Sequence, residues 1–400
     1  MSEAVKRALE LIERNKIKIG LKAGYYYPDF WCRDALISAL GLCAEGSEAS
    51  LSIAKKCIST CLRYQKFTGQ IPNKISPDGK KVDFGEGGCV DSSLWLSIAC
   101  FAYLRASDDK SFVKRNLSKV EKAVKWVLNL DLNNDWLIET NEGSDWMDLL
   151  LRSGRVLYDN VLLYAALTHA HALCEEFGKT SKYAEYAEKV KENINLLFWM
   201  SEENCKKVNE LYGFTGIEKD YEIAFREGEK PYFIAELGFR KYDPRFDVYS
   251  NILALLFGVA GEEKQRMIMH AFEEMFVSKP YPVRVLIPPI SRADPFWCFY
   301  FRETDLGFLQ DPGNFHNGAC WPLAGGFYIA LLRKEGIGKW KEELEKLREE
   351  CALENWSFYE WVNPFTSKPG GSPEQTWSAA MLLFAEKEGE KLLVSVDAEK

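Results

Sequence analysis

The stretch VDSSLWLSIACFAYLRASDDKSFVKRNLSKVEKAVKWVL, residues 90–128, holds two helical segments of different kinds. From 90 to 104 the residues are apolar nearly all round, which suits a helix enclosed by protein. After the tight connection ASDDK (106–110), the segment 112–129 confines its apolar residues to one stripe and carries lysines on the other faces. That suits a helix with one side in water. A buried helix tied to a surface helix cannot cover its own inner face, so more pairs of the same kind are needed around it.

The rest of the chain supplies them. Helical periodicity falls near 2–16, 34–44, 47–63, 90–104, 112–129, 157–178, 181–198, 246–258, 262–276, 315–335, 338–352 and 372–388. Charged-face segments such as SKYAEYAEKVKENINLLF (181–198) alternate with all-apolar ones such as VYSNILALLFGV (248–259). Connections from the apolar to the charged members are short: AEGS (44–47), GKT (178–180), AGEE (260–263), EGIG (335–338). The reverse connections are long and rich in glycine, proline and aromatics. The pattern predicts an all-α toroid, an (α/α)6 barrel of six inner and six outer helices, forming a single catalytic domain over 1–400. Function is expected at the end that carries the long loops.

Composition narrows the function. The formal net charge is −8, which argues against nucleic acid or an anionic membrane as partner. No run is long enough to be read as a membrane span. The first residues, MSEAVKRALELIERNK, read as a charged amphipathic helix rather than a signal peptide. Eleven cysteines, scattered without a CxxC pair, suggest free thiols in a reducing, cytoplasmic setting. The last fifteen residues read as a tail that frays or docks on the surface.

The unusual residues all fall in the long connections. YYYPDFWCRD (25–34), VDFGEGGCVD (82–91), EGSDWMD (142–148), QDPGNFHNGACWP (310–322) and FYEWVNPFTSKPGGSPEQTW (358–377) each lead into an inner segment. In a barrel they converge on one mouth. The chemistry they bring is carboxylates and rings, with Trp31, Trp146, Trp321, Trp361 and Trp377 all among them. Rings beside carboxylates suit a sugar, whose apolar faces stack while its hydroxyls take hydrogen bonds. Two carboxyls across such a pocket could serve as general acid and general base. Plainer roles exist for each part: Asp145 or Asp148 as a helix N-cap, Arg33–Asp34 as a structural ion pair, His169 and His171 as packing residues. No phosphate loop, HExxH or GxSxG motif occurs, and nothing calls for a metal or an organic cofactor.

Taken in order, FWCRDALISALGLC, TGQIPNK, VDSSLWLSIACFAY, SDWMDLLLRSGRVLYDNVLLYAAL, FHNGACWPLAGGFYIAL and EWVNPFTSKPGGSPEQTWSAA resemble the glucosidase domain of glycogen debranching enzymes, the amylo-α-1,6-glucosidase family. The resemblance runs from about 24 to 385. Neutral and alkaline invertases share part of the pattern. The resemblance implies an inverting glycoside hydrolase removing a terminal α-linked glucosyl unit from an oligosaccharide or small glycoside, with the general acid at Asp148 and the general base at Glu360. It implies that Arg33, Asp34, Asp91, His316, Asn317 and Gln375 hold the terminal sugar, and that burial raises the pKa of Asp148. In inverting enzymes such a pair stands ~6.5–9.5 Å apart, leaving room for a water. A slip of three residues would move the acid to Asp145, and Glu374 is the alternative base. The chain departs from the family where a glutamate is replaced by Asp159. Invertase-like hydrolysis of sucrose and non-catalytic sugar binding are the competing readings.

Overall fold

The computed structural model describes residues 1–294, 297 and 311–393, and shows the toroid. The inner helices are Cys32–Glu45, Asp91–Ser107, Leu157–Glu176, Val248–Leu256, Pro322–Lys334 and Thr376–Glu386. Each packs on the next, and the last packs on the first, closing the ring. Their all-round apolarity has its reason here: every residue from Asp91 to Leu104 is buried. The outer helices are Glu3–Arg14, Glu48–Tyr64, Lys110–Leu128, Tyr183–Leu197, Glu262–Glu274 and Trp340–Trp356. These bury only a stripe; Lys110–Leu128 hides Phe112, Val113, Leu117, Val120, Val124 and Val127 and turns its lysines to solvent.

The inner helices all run the same way, so their N-termini meet at one end. There the long outer-to-inner connections are stiffened by two- and three-residue strands, including the antiparallel sets 30–31/74–75/82–83 and 361–362/369–370. Asp34, Asp91 and Asp159 stand in the first turns of three inner helices, where the positive end of the helix dipole favours a carboxylate.

Several helix limits differ from those read in the sequence. The segment 315–335 becomes helical only at Pro322, which has no N–H to donate and is suited to the first helical position. The segment 372–388 begins at Thr376, after Glu374 with φ +54°. The SDWMD stretch is not a helix start: 141–153 is irregular, and the helix begins at Leu157. Two further helices, Glu202–Tyr212 and Ile217–Phe225, occupy the connection after Leu197. The first buries only Asn204 and Val208, the second Ile217, Glu218, Tyr221 and Ala224. At the closed end, the tail's Gly389–Leu392 forms a 3-10 turn, and the Leu393 carbonyl faces His169 Nε2 at 3.0 Å. The remainder of the tail lies outside the described residues. No helix among them is long and apolar enough to cross a membrane, and their ten cysteines are free thiols, nine of them buried.

Candidate active site

At the mouth lies a cavity of about 210 Å³ walled by Tyr27, Trp31, Arg33, Asp34, Trp146, Asp148, Leu149, Phe315, His316, Trp321, Glu360, Gln375 and Trp377, with Ala23 completing it. It is smaller than the roughly 300–1,000 Å³ typical of pockets for drug-sized ligands. Its floor is a cluster of rings: Trp146 meets Tyr249, His316 and Trp321 edge-on at 5.1–5.2 Å between centroids, and His316 stacks on Trp321 at 5.2 Å. The Arg33 guanidinium lies between Trp31 and Trp377, 5.8 and 5.7 Å from their centroids. Several buried polar atoms here have no hydrogen-bond partner among the described residues: Gln375 Oε1, His316 Nδ1 and the indole N–H groups of Trp146 and Trp377, while Arg33 Nε and Asp34 Oδ2 face each other as an ion pair at 3.5 Å. Buried polar atoms are normally paired, so these unmade bonds leave donors and acceptors around the cavity open to a ligand.

Asp148 owes its place to Asp145. The Asp145 carboxylate accepts the Met147 N–H at 2.7 Å and is clasped by Arg152, whose Nε and Nη2 donate to it at 2.7 and 2.9 Å. The third arm, Nη1, donates to Asp247 at 2.8 Å, on the next inner helix. The turn carrying Asp148 is thus bolted across 95 residues of sequence to the barrel wall. Replacing Arg152 with methionine would leave two buried carboxylates unpaired. It should lower stability by about 3–5 kcal/mol, read by denaturant unfolding. A loss below about 1 kcal/mol would show that the clasp matters little.

Glu360 is held by other segments of the chain. Its carboxylate accepts the Ser372 N–H at 3.0 Å and the Tyr27 hydroxyl at 3.5 Å. Gly371, at φ +72°, passes so close that a Cβ there would fall 2.3 Å from Glu360 Oε2.

Burial dominates the titration of this cluster. It raises Asp148 to about 6 against the pull of Arg33, with Asp145 and Asp91 adding to the rise. It raises Glu360 to about 8, opposed by the Ser372 N–H and the Tyr27 hydroxyl and reinforced by Asp34 and Asp148. Asp34 rises to about 7 and Asp91 to about 6 by the same cause, each moderated by Arg33. Burial, with Arg152 and Arg33 nearby, pushes His316 well below its usual range, so it is a neutral imidazole. Asp159, replacing the family's glutamate, is buried and driven well above the carboxylate range, and accepts the Thr140 hydroxyl at 3.0 Å.

Of the residues expected from sequence, the cavity brings together Trp31, Arg33, Asp34, Trp146, Asp148, His316, Trp321, Glu360, Gln375 and Trp377. Three others stand behind it. Asp91 is buried beside Arg33 Nη1 at 3.6 Å, Asp145 is taken by Arg152, and Asn317 uses its amide on the Ile290 backbone at 2.6 and 2.8 Å. Glu374 is on the outside, near Arg14 and Lys22. Tyr27, Leu149 and Phe315 line the cavity without having been singled out. The run YYYP was the available signal for Tyr27: three tyrosines ahead of a turn exceed what packing needs, and Tyr25 and Tyr26 are exposed. Among the described residues no group of three or more His, Cys, Asp or Glu is placed to hold a metal ion.

The family model for amylo-alpha-1,6-glucosidase matches residues 6–384. The chain belongs to that family, and so to the glycoside hydrolases. The chain is 23% identical over 344 residues to alkaline/neutral invertase E, chloroplastic, of Arabidopsis thaliana, covering 78% of this chain and 54% of that one. It is also 23% identical over 381 residues to cytosolic invertase 1 of Oryza sativa subsp. japonica, covering 81% and 63%. It thus spans about half to two-thirds of the length of those curated relatives. In fold this amylo-α-1,6-glucosidase family member is similar to the GH63 mannosylglycerate hydrolase of Thermus thermophilus, solved with Tris (TM-score 0.72, 13% identity, 95% and 99% of the two chains). A bacterial glucoamylase complexed with acarbose is similar too (TM-score 0.66, 14% identity, 98% and 56%).

Proposed function

We propose that the protein hydrolyses the bond to a terminal α-linked glucosyl unit of an oligosaccharide or small glycoside, with inversion, within a single (α/α)6 catalytic domain. The observation that carries this reading is the position of the two carboxyls. Glu360 lines only the small ring-walled cavity, whereas Asp148 lines both that cavity and a wider polar groove outside it. A glycosidic oxygen at the junction lies beside Asp148, with the sugar ring inward and the leaving group outward. Asp148 gives its proton to the departing oxygen. Glu360 takes a proton from the water that attacks the anomeric carbon on the opposite face, and the products are an alcohol and a sugar of inverted configuration. Arg33, Asp34, Gln375 and His316 take the sugar's hydroxyls, and the tryptophans take its apolar faces.

The order of the two pKa values alone would leave the proton on Glu360, so the active arrangement is the less populated way of sharing one proton between the pair. The pH dependence follows from that shared proton. Below about 6 both carboxyls are protonated and no base remains; above about 8 both are ionised and no acid remains. We expect kcat/KM to be bell-shaped between these values, measured as a full pH–rate profile. A profile flat from pH 5 to 9 would contradict the pairing.

The invertase relatives favour a second substrate, sucrose, cleaved by the same two carboxyls. Glucose release from isomaltose, panose, maltotriose, a branched limit dextrin, trehalose and sucrose separates the two. Release from α-1,6 substrates supports the glucosidase, and cleavage of sucrose alone supports the invertase. No release from any of them would favour sugar binding without catalysis. The −8 charge keeps nucleic acid and anionic membrane out of the expected partners, and the free thiols fit a reducing, cytoplasmic setting.

A further inference from the structure

The groove outside Asp148 is much larger than the inner cavity, about 700 Å³ against 210 Å³, and differs in chemistry. Asp148 and Leu149 belong to both walls, so the two spaces adjoin at the proposed acid. Among the described residues, no aromatic ring and no lysine or arginine lines the groove. Its far wall is the 82–88 turn, which presents Asp83 and Glu86, both exposed and neither in an ion pair among the described residues. Asn73, Asn141 and Ser153 add neutral donors and acceptors.

This wall is built rather than loose. The Asp83 carboxylate accepts the Gly85 N–H at 3.0 Å, Asn73 N–H donates to the Asp83 carbonyl at 2.9 Å, and Gln70 donates to the Gly88 carbonyl at 2.8 Å. The turn is docked onto the loop that carries Asp148. Val90 N–H donates to the Ser144 carbonyl at 2.7 Å, and a Cβ on Gly87 would fall 2.3 Å from the Glu142 carbonyl oxygen. The backbone that carries Asp83 and Glu86 therefore keeps a fixed relation to the loop of the acid.

Resting on the hydrolase reading above, we infer that the groove accepts an uncharged, polyhydroxylated leaving group and that Asp83 and Glu86 select against anionic ones. With no ring to stack on, a leaving group gains affinity there chiefly through hydrogen bonds, beside the apolar contacts of Leu149 and Leu151. A carboxylate in the groove would face Asp83, Glu86 and Glu142, which lines it as well, plus Asp148 once its proton is given up. Like charges within a Debye length repel, and salt weakens the effect.

The test compares two glucosides that differ in leaving-group charge, α-glucosylglycerol and α-glucosylglycerate, alongside α-glucosyl fluoride, which has no extended leaving group. At low ionic strength the wild type should prefer the neutral glycoside by at least about tenfold in kcat/KM, a ratio that shrinks as salt rises toward about 0.5 M. In the Asp83→Asn/Glu86→Gln variant the ratio should fall severalfold and become less dependent on salt, with Glu142 and Asp148 still in place. A wild-type ratio near one, or a ratio the variant leaves unmoved, overturns the charge selection. Turnover of the fluoride in those cases shows that only this inference has failed. If the fluoride is not hydrolysed either, the hydrolase reading fails and takes the inference with it.

Discussion

Asp148→Asn should lower kcat/KM on an unactivated α-glucoside by about 10²–10⁴-fold, the range that proton transfer from a positioned acid contributes. Its loss on α-glucosyl fluoride should be far smaller. Fluoride departs without needing a full proton, so removal of the acid is felt chiefly where the leaving group is a poor one. Three features favour Asp148 over its neighbour as the proposed acid. Asp145 is clasped by Arg152 on two atoms and lies off the cavity wall. Asp148 has a pKa raised to about 6, mainly by burial, which keeps a proton within reach near neutrality. It also sits where the leaving group must pass. Equal losses on both substrates would mean that Asp148 binds sugar or shapes the loop rather than giving a proton. The glycoside and the fluoride, assayed side by side, decide this.

Glu360→Gln should be at least as damaging, again about 10²–10⁴-fold or more, and equally so on the glycoside and the fluoride. Both substrates need an activated water. The glutamine keeps the size and part of the hydrogen bonding, so the Ser372 N–H and the Tyr27 hydroxyl still find an acceptor. What is lost is the capacity to take a proton. A folding defect is separated by comparing thermal midpoints; the variant removes a buried titratable group and should unfold at or above the wild-type temperature. Activity surviving on either substrate would move the base elsewhere, with Asp34 the nearest alternative on the same wall.

The fold was legible because two independent regularities agree. Helices 90–104 and 112–129 differ in how many faces are apolar, and the lengths of the connections repeat that difference around the chain. Alternation of this kind admits few closed solutions. Helix starts were less legible where a proline or a left-handed residue overrides periodicity, as at Pro322 and Glu374. The helices Glu202–Tyr212 and Ile217–Phe225 escaped because they are short, 11 and 9 residues, and rich in charged residues, although Ile217, Tyr221 and Ala224 do form a buried stripe.

In the site, motif residues were visible but their depth was not. Asp91 and Asn317 belong to the same motifs as residues on the cavity wall, yet one sits behind Arg33 and the other ties down the Ile290 backbone. Sequence spacing cannot separate such neighbours, since one step along a loop turns a side chain from the cavity to the protein behind it. Arg152 was invisible for a different reason. Its role depends on Asp247, which is close only after the ring has formed. Tyr27 lies in a run of three tyrosines whose sequence does not tell which one turns inward; Tyr25 and Tyr26 are exposed.

The central claim is that two carboxyls on opposite walls, Asp148 and Glu360, displace the leaving group directly by water. The most direct measurement is the anomeric configuration of the first glucose released from the best α-linked substrate, followed by proton NMR before mutarotation. Direct displacement predicts β-glucose as the initial product. Initial α-glucose would mean a covalent glucosyl intermediate and would contradict the account.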